Sequence, residues 1–236
     1  MLNPEHNSLQ HSLDEFAAFC DENLFRVNGS KSSAMAINFS HSYDFSPKFH
    51  LGNEILQVVE TSKILGLQIN NRLRWDSHVE YICNKARQRI WALRRLLQLN
   101  LDHETIIDFF LKEVRTILEY GAVVFHSGLT RQQSNSIESI QRGFFKMVTQ
   151  SLQLKLSYSE ACIFFCCDKL EFRRLDLCKT FLKRNIDNPL HSNMFKKTIP
   201  SYNTRSGIKL SQYQTRTKRF AQSPLVFLTK LGENML

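Results

Sequence analysis

Glycine and proline are scarce in this 236-residue sequence: 8 and 5 residues, together about half of their usual share. That scarcity excludes collagen-like and linker-rich chains. No apolar run approaches the roughly 18 residues that a membrane-spanning helix needs. The first residues lack the basic and apolar segments of a signal peptide. Because 42% of the residues are hydrophobic, a disordered chain is also excluded. We therefore expect a folded, helix-rich protein that is not secreted and does not enter a membrane.

Motifs that point to common enzyme classes are missing as well. The chain has no G-x-x-x-x-G-K-[ST] loop, no G-x-G-x-x-G, no H-E-x-x-H and no G-x-S-x-G. Its cysteines form no C-x-x-C pair, so we predict no metal site and interpret them as reduced, mostly buried thiols of a cytoplasmic or nuclear protein. They are Cys20, Cys83, Cys162, Cys166, Cys167 and Cys178. Zinc binding by Cys162, Cys166 and Cys167 is the alternative, although no histidine lies near that cluster.

The net charge of +9 is distributed unevenly along the chain. Residues 1–62 contain three basic and eight acidic side chains, a net charge of −5, whereas the remainder contains 28 basic and 14 acidic ones, a net charge of +14. From residue 188 to residue 232 there is no acid. This asymmetry indicates that the second part of the chain meets a polyanion. An ordinary solvated basic surface is the alternative.

Hydrophobic spacing predicts a small α/β segment followed by a helical one. In the first segment we expect an amphipathic helix over 8–25, strands over 35–39, 55–59 and 64–69, and a two-residue hairpin turn at Gly52-Asn53. After residue 71 the period changes from two to 3.6. We expect a long helix that Asp76 or Ser77 caps and that continues to Leu97, a second from Asp102 to about 119, and a third from Thr130 or Ser134. A further helical segment, in one or two pieces, should run from Ser157, where Ser157 and Glu160 have capping-box spacing, to Asn185.

The last forty residues are polar and basic with weak periodicity, and we expect them to form an extended arm. The predicted fold class is therefore α+β, mostly α. A small sheet with one helix occupies residues 1–70, a helical bundle occupies 71–190, and a basic C-terminal extension occupies 191–236. One helix and a few short strands cannot bury both faces of a sheet, so the first segment looks like the end of something larger.

Six blocks of sequence share one order with a known family. They are residues 7–39 with the turn Asn28-Gly29-Ser30-Lys31-Ser32; Lys63, Leu65, Gly66, Leu73, Trp75 and His78; Leu118-Glu119-Tyr120-Gly121; Glu138, Ile140, Gln141 and Arg142; Leu170, Arg173 and Arg174; and Thr204-Arg205. Together they resemble the C-terminal half of the reverse transcriptase of non-LTR retrotransposons, the jockey-like and LINE-type elements. Phe125-His126 departs from the family, which usually has a tryptophan there. The resemblance implies the end of a palm, a thumb and a basic extension.

The family's catalytic motif is absent from the sequence. The resemblance implies that an intact parent enzyme holds two Mg²⁺ ions on palm aspartates, in part through a [Phe/Tyr]-Ala-Asp-Asp turn expected just before Leu9. No such turn occurs in the chain, so we expect no metal or other cofactor here and no polymerase activity from this chain alone. Lys31 corresponds to a lysine near the incoming nucleotide, a remnant proton-donor candidate. A surface turn lysine is the alternative.

The resemblance also implies where nucleic acid would bind. Leu65 and Gly66 correspond to the hairpin that grips the primer end, or else form a core strand. The first thumb helix would follow phosphates without sequence preference, and the tail interleaves basic and aromatic residues. The candidate residues are Leu65, Gly66, Arg72, Arg74, Lys85, Arg87, Arg89, Arg94, Arg95, Arg205, Arg216, Lys218 and Arg219.

We therefore expect a fragment of a retrotransposon RNA-directed DNA polymerase that is inactive alone and binds RNA or RNA–DNA duplex nonspecifically. A host-retained, non-enzymatic nucleic-acid-binding or helical interaction protein is the alternative.

Overall fold

The structure is a computed structural model that describes residues 4–37, 39, 48–98, 101–198 and 209–233. The chain divides into two compact units, Met1–Ser77 and His78–Leu236. The described residues are mostly helical, and their strands form sheets of two strands each. The expected α+β, mostly α class is confirmed. The division into three segments at residues 70 and 190 stays a prediction.

The first unit packs one helix against very short strands. Its elements are helix α1 (Pro4–Glu22), a 3-10 turn (Gly29–Lys31) and strands β1 (Ser33–Ala34), β2 (His50–Leu51), β3 (Glu54–Ile55), β4 (Gln57–Val58), β5 (Thr61–Ile64) and β6 (Leu67–Asn70). Strand β1 pairs with β4 in parallel, whereas β2–β3 and β5–β6 are antiparallel. Leu13 and Ala17 of α1 pack against buried Phe49, Leu51 and Leu56, which form the core of this unit.

Two hairpin turns determine the local shape of the first unit. Gly52 has a φ of 59° between paired Leu51 and Glu54, as the predicted two-residue turn requires. Residues 64–69 were expected to be one strand, and this prediction is wrong, because Leu65 and Gly66 both have positive φ and reverse the chain between β5 and β6. Apolar residues lie on both sides of Gly66, so the hydrophobic pattern of this stretch does not mark the turn. Of the two alternatives for Leu65 and Gly66, the structure contains the hairpin, and a role in gripping a primer stays a prediction.

Three other boundaries in this unit differ from the sequence-based ones. Helix α1 ends at Glu22, because Leu24 takes a left-handed φ of 58° and the Phe25 N–H bonds to the Cys20 carbonyl at 2.8 Å, which closes a Schellman-type end. The strand expected over 35–39 is instead β1 at Ser33–Ala34, and Asn38 lies outside the described residues. The strand expected over 55–59 is divided between β3 and β4.

The second unit is a helical bundle. Its helices are α2 (Asp76–Leu97), α3 (His103–Phe109), a π-helical turn (Phe110–Arg115), α4 (Thr116–Glu119), α5 (Ala122–Phe125), α6 (Arg131–Ser151), α7 (Tyr158–Phe164), α8 (Leu170–Asn185), α9 (Lys218–Ala221) and α10 (Pro224–Glu233). Short strands β7 (Lys197–Thr198) and β8 (Lys209–Leu210) pair antiparallel. The expected long helix is confirmed and ends at Leu97 as predicted, but Asp76 and Ser77 are its first helical residues rather than its cap.

Side-chain caps fix the starts of three helices. Asp102 accepts from the Thr105 N–H at 2.6 Å, which confirms the expected start of α3. Thr130, rather than Ser134, caps α6 in a reciprocal box with Gln133. The predicted box at Ser157 is confirmed, since the Glu160 carboxylate accepts from the Ser157 N–H at 2.7 Å. Each cap satisfies backbone donors that have no partner inside the helix.

A π-helical turn interrupts the second long helix, and the sequence pattern did not reveal it. Ile106, Phe110, Val114 and Leu118 are all buried and recur at intervals of four residues. An α-helix turns every 3.6 residues, so a strict interval of four would drift off one face. The wider π turn at Phe110–Arg115 keeps these four side chains directed into the core, where Phe110 stacks on Phe144 with ring centroids 4.1 Å apart.

The expected extended arm is wrong for residues 209–233. Leu210 and Leu228 are buried with Cys178, Leu182 and Phe195 in one cluster. Helix α10 is apolar enough to pack against α8, so burial of its hydrophobic side stabilises a helix that weak local periodicity did not predict. Gly232 allows this approach, because an added Cβ would lie 2.5 Å from Leu210 Cδ1.

Candidate nucleic-acid interface

Helix α2 separates an apolar side from a basic one. Val79, Ile82, Cys83, Ala86 and Leu93 recur at helical spacing and are buried, which anchors one side of the helix in the second unit. The remaining directions around the helix axis point to solvent. They carry five exposed cations, here called the basic face: Lys85, Arg87, Arg89, Arg94 and Arg95.

The charge of the basic face is not neutralised locally. Within the described part of the chain, none of its five side chains forms an ion pair. Arg87 donates from Nη1 to Asn84 Oδ1 at 2.8 Å, a neutral acceptor that leaves the positive charge in place. Lys85 and Arg89 lie four residues apart, a spacing at which like charges on a helix repel by a few tenths of a kcal/mol. A bound polyanion would relieve this repulsion.

Trp91 lies within the basic face, and the sequence analysis did not single it out. Its side chain is 60% exposed. The Arg95 guanidinium lies over the indole ring, 4.8 Å from the ring centroid, in a cation–π contact. The available signal was positional, since Trp91 falls outside the apolar stripe of α2 and precedes Arg95 by four residues.

The other candidate residues of the first unit lie at its second hairpin or just after it. Leu65 is 86% exposed at the hairpin tip, beside Gly66. Arg72 and Arg74 follow β6, and both of their backbone N–H groups donate to Asn70 Oδ1, at 3.2 and 2.7 Å. This Asx-type turn holds the two arginines just ahead of α2. These four residues belong to the first unit, whereas the basic face belongs to the second.

Lys31 ends the 3-10 turn of the first unit and is exposed. Its backbone N–H donates to Asn28 Oδ1 at 3.1 Å, so Asn28 shapes the turn. Gly29 is needed there, because an added Cβ would lie 2.7 Å from the Glu54 Cβ. Across the described residues no group of three His, Cys, Asp or Glu side chains could hold a metal ion.

The basic residues of the tail divide into two groups. Arg205 lies outside the described residues. Arg216, Lys218 and Arg219 are exposed around the start of α9, whose first turn Thr217 caps through a bond from the Phe220 N–H at 3.2 Å. Phe220 is 40% exposed and contacts Tyr213 edge to face, with centroids 6.4 Å apart. Basic and aromatic side chains therefore adjoin here.

The family-like motifs of the second unit meet in one buried polar network. Glu138 of α6 accepts the backbone N–H of Leu170 at 3.1 Å and that of Glu171 at 3.2 Å, so it caps the start of α8. The Tyr158 hydroxyl also donates to Glu138. Gln141 donates to the Tyr158 hydroxyl at 3.1 Å and to the Asp168 carbonyl at 2.9 Å. Burial and the bond to Glu138 raise the pKa of Tyr158, which keeps it a donor.

Two adjacent arginines of α8 extend this network. Arg173 forms a two-pronged ion pair with Glu119 at 3.1 and 3.2 Å, which ties α8 to α4 and raises the pKa of Arg173. Arg174 is fully buried and donates from Nη2 to Ser134 Oγ at 2.9 Å. Burial lowers the pKa of Arg174, although nearby Glu138 opposes that shift. The motif residues Glu119, Glu138 and Arg174 thus hold helices together, rather than facing solvent.

Two histidines of the second unit, His78 and His126, are packing residues in the structure. His78 is fully buried beside Phe125, with ring centroids 4.9 Å apart, and burial lowers its pKa. His126 contacts Phe227 edge to face, with ring centroids 5.5 Å apart. Burial lowers the pKa of His126 to about 4. Both imidazoles are therefore neutral near pH 7 and add no charge to the basic face.

Comparison of the chain with protein-family models, with curated proteins and with solved structures finds no match. Among the described helices, none combines the length and the apolar character needed to cross a membrane.

Proposed function

We propose that this chain is a fragment of a non-LTR retrotransposon reverse transcriptase without the catalytic aspartates, and that it binds RNA or RNA–DNA duplex without sequence preference through the basic face of α2. The observation that carries the proposal is the orientation of α2. Its buried stripe anchors the helix so that five cations are exposed, and no carboxylate among the described residues pairs with them. The order of the motif blocks supports the family origin.

Phosphate binding is the chemistry that this surface supports. Arginine and lysine neutralise phosphates and release condensed counterions, so affinity depends on salt and not on base sequence. If all five side chains contact phosphate, the logarithm of the association constant falls linearly with log[salt]. The expected slope is roughly −3.5 for a single strand and roughly −4.5 for a duplex. The exposed basic residues Arg216, Lys218 and Arg219 would add to this slope.

A salt titration of the full chain with labelled RNA and RNA–DNA hybrid tests the proposal. Replacing Arg87, Arg89, Arg94 and Arg95 by glutamate should abolish most of the binding and flatten the slope. A matched control carries the same charge change at exposed residues of other segments: Arg131, Lys146, Lys155 and Lys183 to glutamate. If both quadruple variants lose affinity equally, net charge alone accounts for binding and the basic face is not the site. A flat salt response of the native chain would also contradict the proposal.

The proposal includes the absence of polymerase activity in this chain alone. Primer extension on an oligonucleotide-primed RNA template, with Mg²⁺ or Mn²⁺, should give no product. Robust synthesis by the purified chain would show that the proposal is wrong.

A protein-interaction role is the second candidate, and a groove in the first unit favours it. Phe16 and Phe19 of α1 are each about half exposed and line this groove with Phe25 and Val27. Exposed aromatic side chains clustered in this way are typical of protein interfaces. This role predicts no nucleic-acid binding at physiological salt, and loss of a protein partner when Phe16 and Phe19 become serine.

A further inference from the structure

The exposed indole of Trp91 has charged neighbours on both sides along α2. Arg87 precedes it by four residues, and Arg94 and Arg95 follow by three and four, so guanidinium groups lie about one helical turn before and after the ring. Leu93, on the other side of the helix, is fully buried and holds this orientation. The arrangement is an aromatic surface between two groups of cations.

We propose that Trp91 is a stacking platform for an unpaired base, with Arg87 and Arg94 holding phosphates on either side, so that α2 takes single-stranded nucleic acid in preference to duplex. The inference rests on the proposed function and names the form of nucleic acid that the same site prefers. Every base has a π face, so stacking adds affinity without sequence preference.

The preference for single strands follows from the cost of exposing a base. In a duplex both faces of each base are covered by neighbouring bases, so the indole can stack only after a base leaves the stack. The free energy needed to extract a paired base is comparable with the stacking free energy of one aromatic contact. Stacking on Trp91 therefore adds little or no affinity for a duplex. An unpaired base avoids most of that cost, and the same indole then adds its full contribution.

Charge complementarity identifies the occupant as a polyanion. A neutral protein surface that covered Trp91 would also have to cover Arg87, Arg94 and Arg95 without supplying carboxylates, and burying charges without partners is unfavourable. A nucleic acid strand supplies both the flat apolar face and the negative charges. Arg95 already lies over the ring at 4.8 Å, and a stacked base would extend this layered contact.

Two variants of the full chain, Trp91→Leu and Trp91→Phe, test the proposal. Four probes of equal length are compared by fluorescence anisotropy at one salt concentration: a mixed-sequence single-stranded RNA, the same sequence as DNA, the RNA–DNA hybrid, and an abasic strand with phosphates but no bases. Trp91→Leu should weaken binding of both single strands by about tenfold. Binding of the hybrid and of the abasic strand should change less than about twofold, because neither offers a free base.

Two further readings separate stacking from a structural role. Trp91→Phe should restore most of the affinity, since a phenyl ring still stacks. In the native chain, tryptophan fluorescence should be quenched by the single strands, and this quenching should be missing in Trp91→Phe.

The proposal is overturned if Trp91→Leu lowers the affinity for the abasic strand as much as the affinity for the base-bearing strands. It is also overturned if Trp91→Leu lowers neither affinity. When the four-arginine variant loses binding but Trp91→Leu does not, the phosphate site stands and only the stacking is wrong. When the native chain binds none of the four probes, the proposed function itself is wrong, and the inference falls with it.

Discussion

Glu138 accepts the backbone N–H of Leu170 at 3.1 Å, so a carboxylate in the middle of one helix caps the start of another that lies 32 residues further along the chain. The same carboxylate accepts the Glu171 N–H and receives the Tyr158 hydroxyl. The N-terminus of a helix carries backbone N–H groups without partners and a partial positive charge. A carboxylate there accepts the hydrogen bonds and interacts favourably with the charge. This contact fixes α8 against α6.

We predict that Glu138→Ala destabilises the second unit by about 2–3 kcal/mol, because α8 loses its cap and the Tyr158 hydroxyl loses its acceptor in a buried place. Urea denaturation followed by circular dichroism measures the change. Glu171→Ala is the matched control, since it removes an exposed carboxylate from the first turn of the same helix and should cost less than about 1 kcal/mol. Equal losses in both variants would mean that Glu138 acts only through the helix dipole.

Arg174 offers a test of what a buried charge contributes. Its Nε and Nη1 atoms have no hydrogen-bond partner in the described residues, and its one bond goes to a neutral hydroxyl. We expect Arg174→Met, which fills a similar volume, to change the free energy of unfolding by less than about 1.5 kcal/mol. Arg174→Ala should cost about 2–4 kcal/mol through the cavity that it leaves. A methionine variant as unstable as the alanine variant would show that the charge itself is required, as a partner for Glu138.

The stability of the second unit should decrease as the pH falls from about 6.5 to about 4. Burial lowers the pKa of His126 from 6.5 to about 4, so over this range the unfolded chain binds a proton that the folded chain does not. Protons therefore favour unfolding, and His78, whose pKa burial also lowers, acts in the same direction. His126→Phe should flatten the pH dependence of the urea midpoint between pH 6.5 and pH 4. An unchanged slope would show that other groups govern this range.

Two helical glycines of the second unit should respond oppositely to alanine. An added Cβ at Gly143 in α6 meets nothing within 4 Å, so Gly143→Ala should stabilise the fold by about 0.5–1 kcal/mol through helix propensity. At Gly232 in α10 the added Cβ would lie 2.5 Å from Leu210 Cδ1 and 3.3 Å from Leu182 Cδ2, two buried side chains. Gly232→Ala should therefore lower the melting temperature. A Gly232→Ala variant as stable as the native chain would mean that α10 does not pack closely on this cluster.

Sequence reasoning predicted the parts of the fold that depend on near neighbours. Ser157 was recognised as a helix start because the cap and its partner Glu160 lie three residues apart, and the start near Asp102 was also predicted, whereas Thr130 and Ser134 stayed alternatives for α6. The buried stripe and the exposed cations of α2 followed from one helical period, which is why the basic face was found before the structure was known.

Features that depend on distant residues were missed or misread. The hairpin at Leu65-Gly66 lies inside a mostly apolar run, and Leu228 of α10 is buried with Cys178 and Leu182, which lie far earlier in the chain. The sequence pattern did not indicate that Trp91 is exposed or that it contacts Arg95, and both features came from the structure. The motif residues raised an expectation of nucleic-acid chemistry, yet Glu119, Glu138 and Arg174 are internal supports.

The sequence by itself determined the helix caps, the stripe of α2 and the uneven charge, because each is a matter of residue type at spacings of a few positions. Only the tertiary structure decided which polar residues lie inside and which side chains share a surface. Glu119 and Arg173 are 54 residues apart in sequence and still form an ion pair. Such pairings depend on how whole helices pack, since the burial of apolar area brings distant side chains to the same place and no local pattern encodes that proximity.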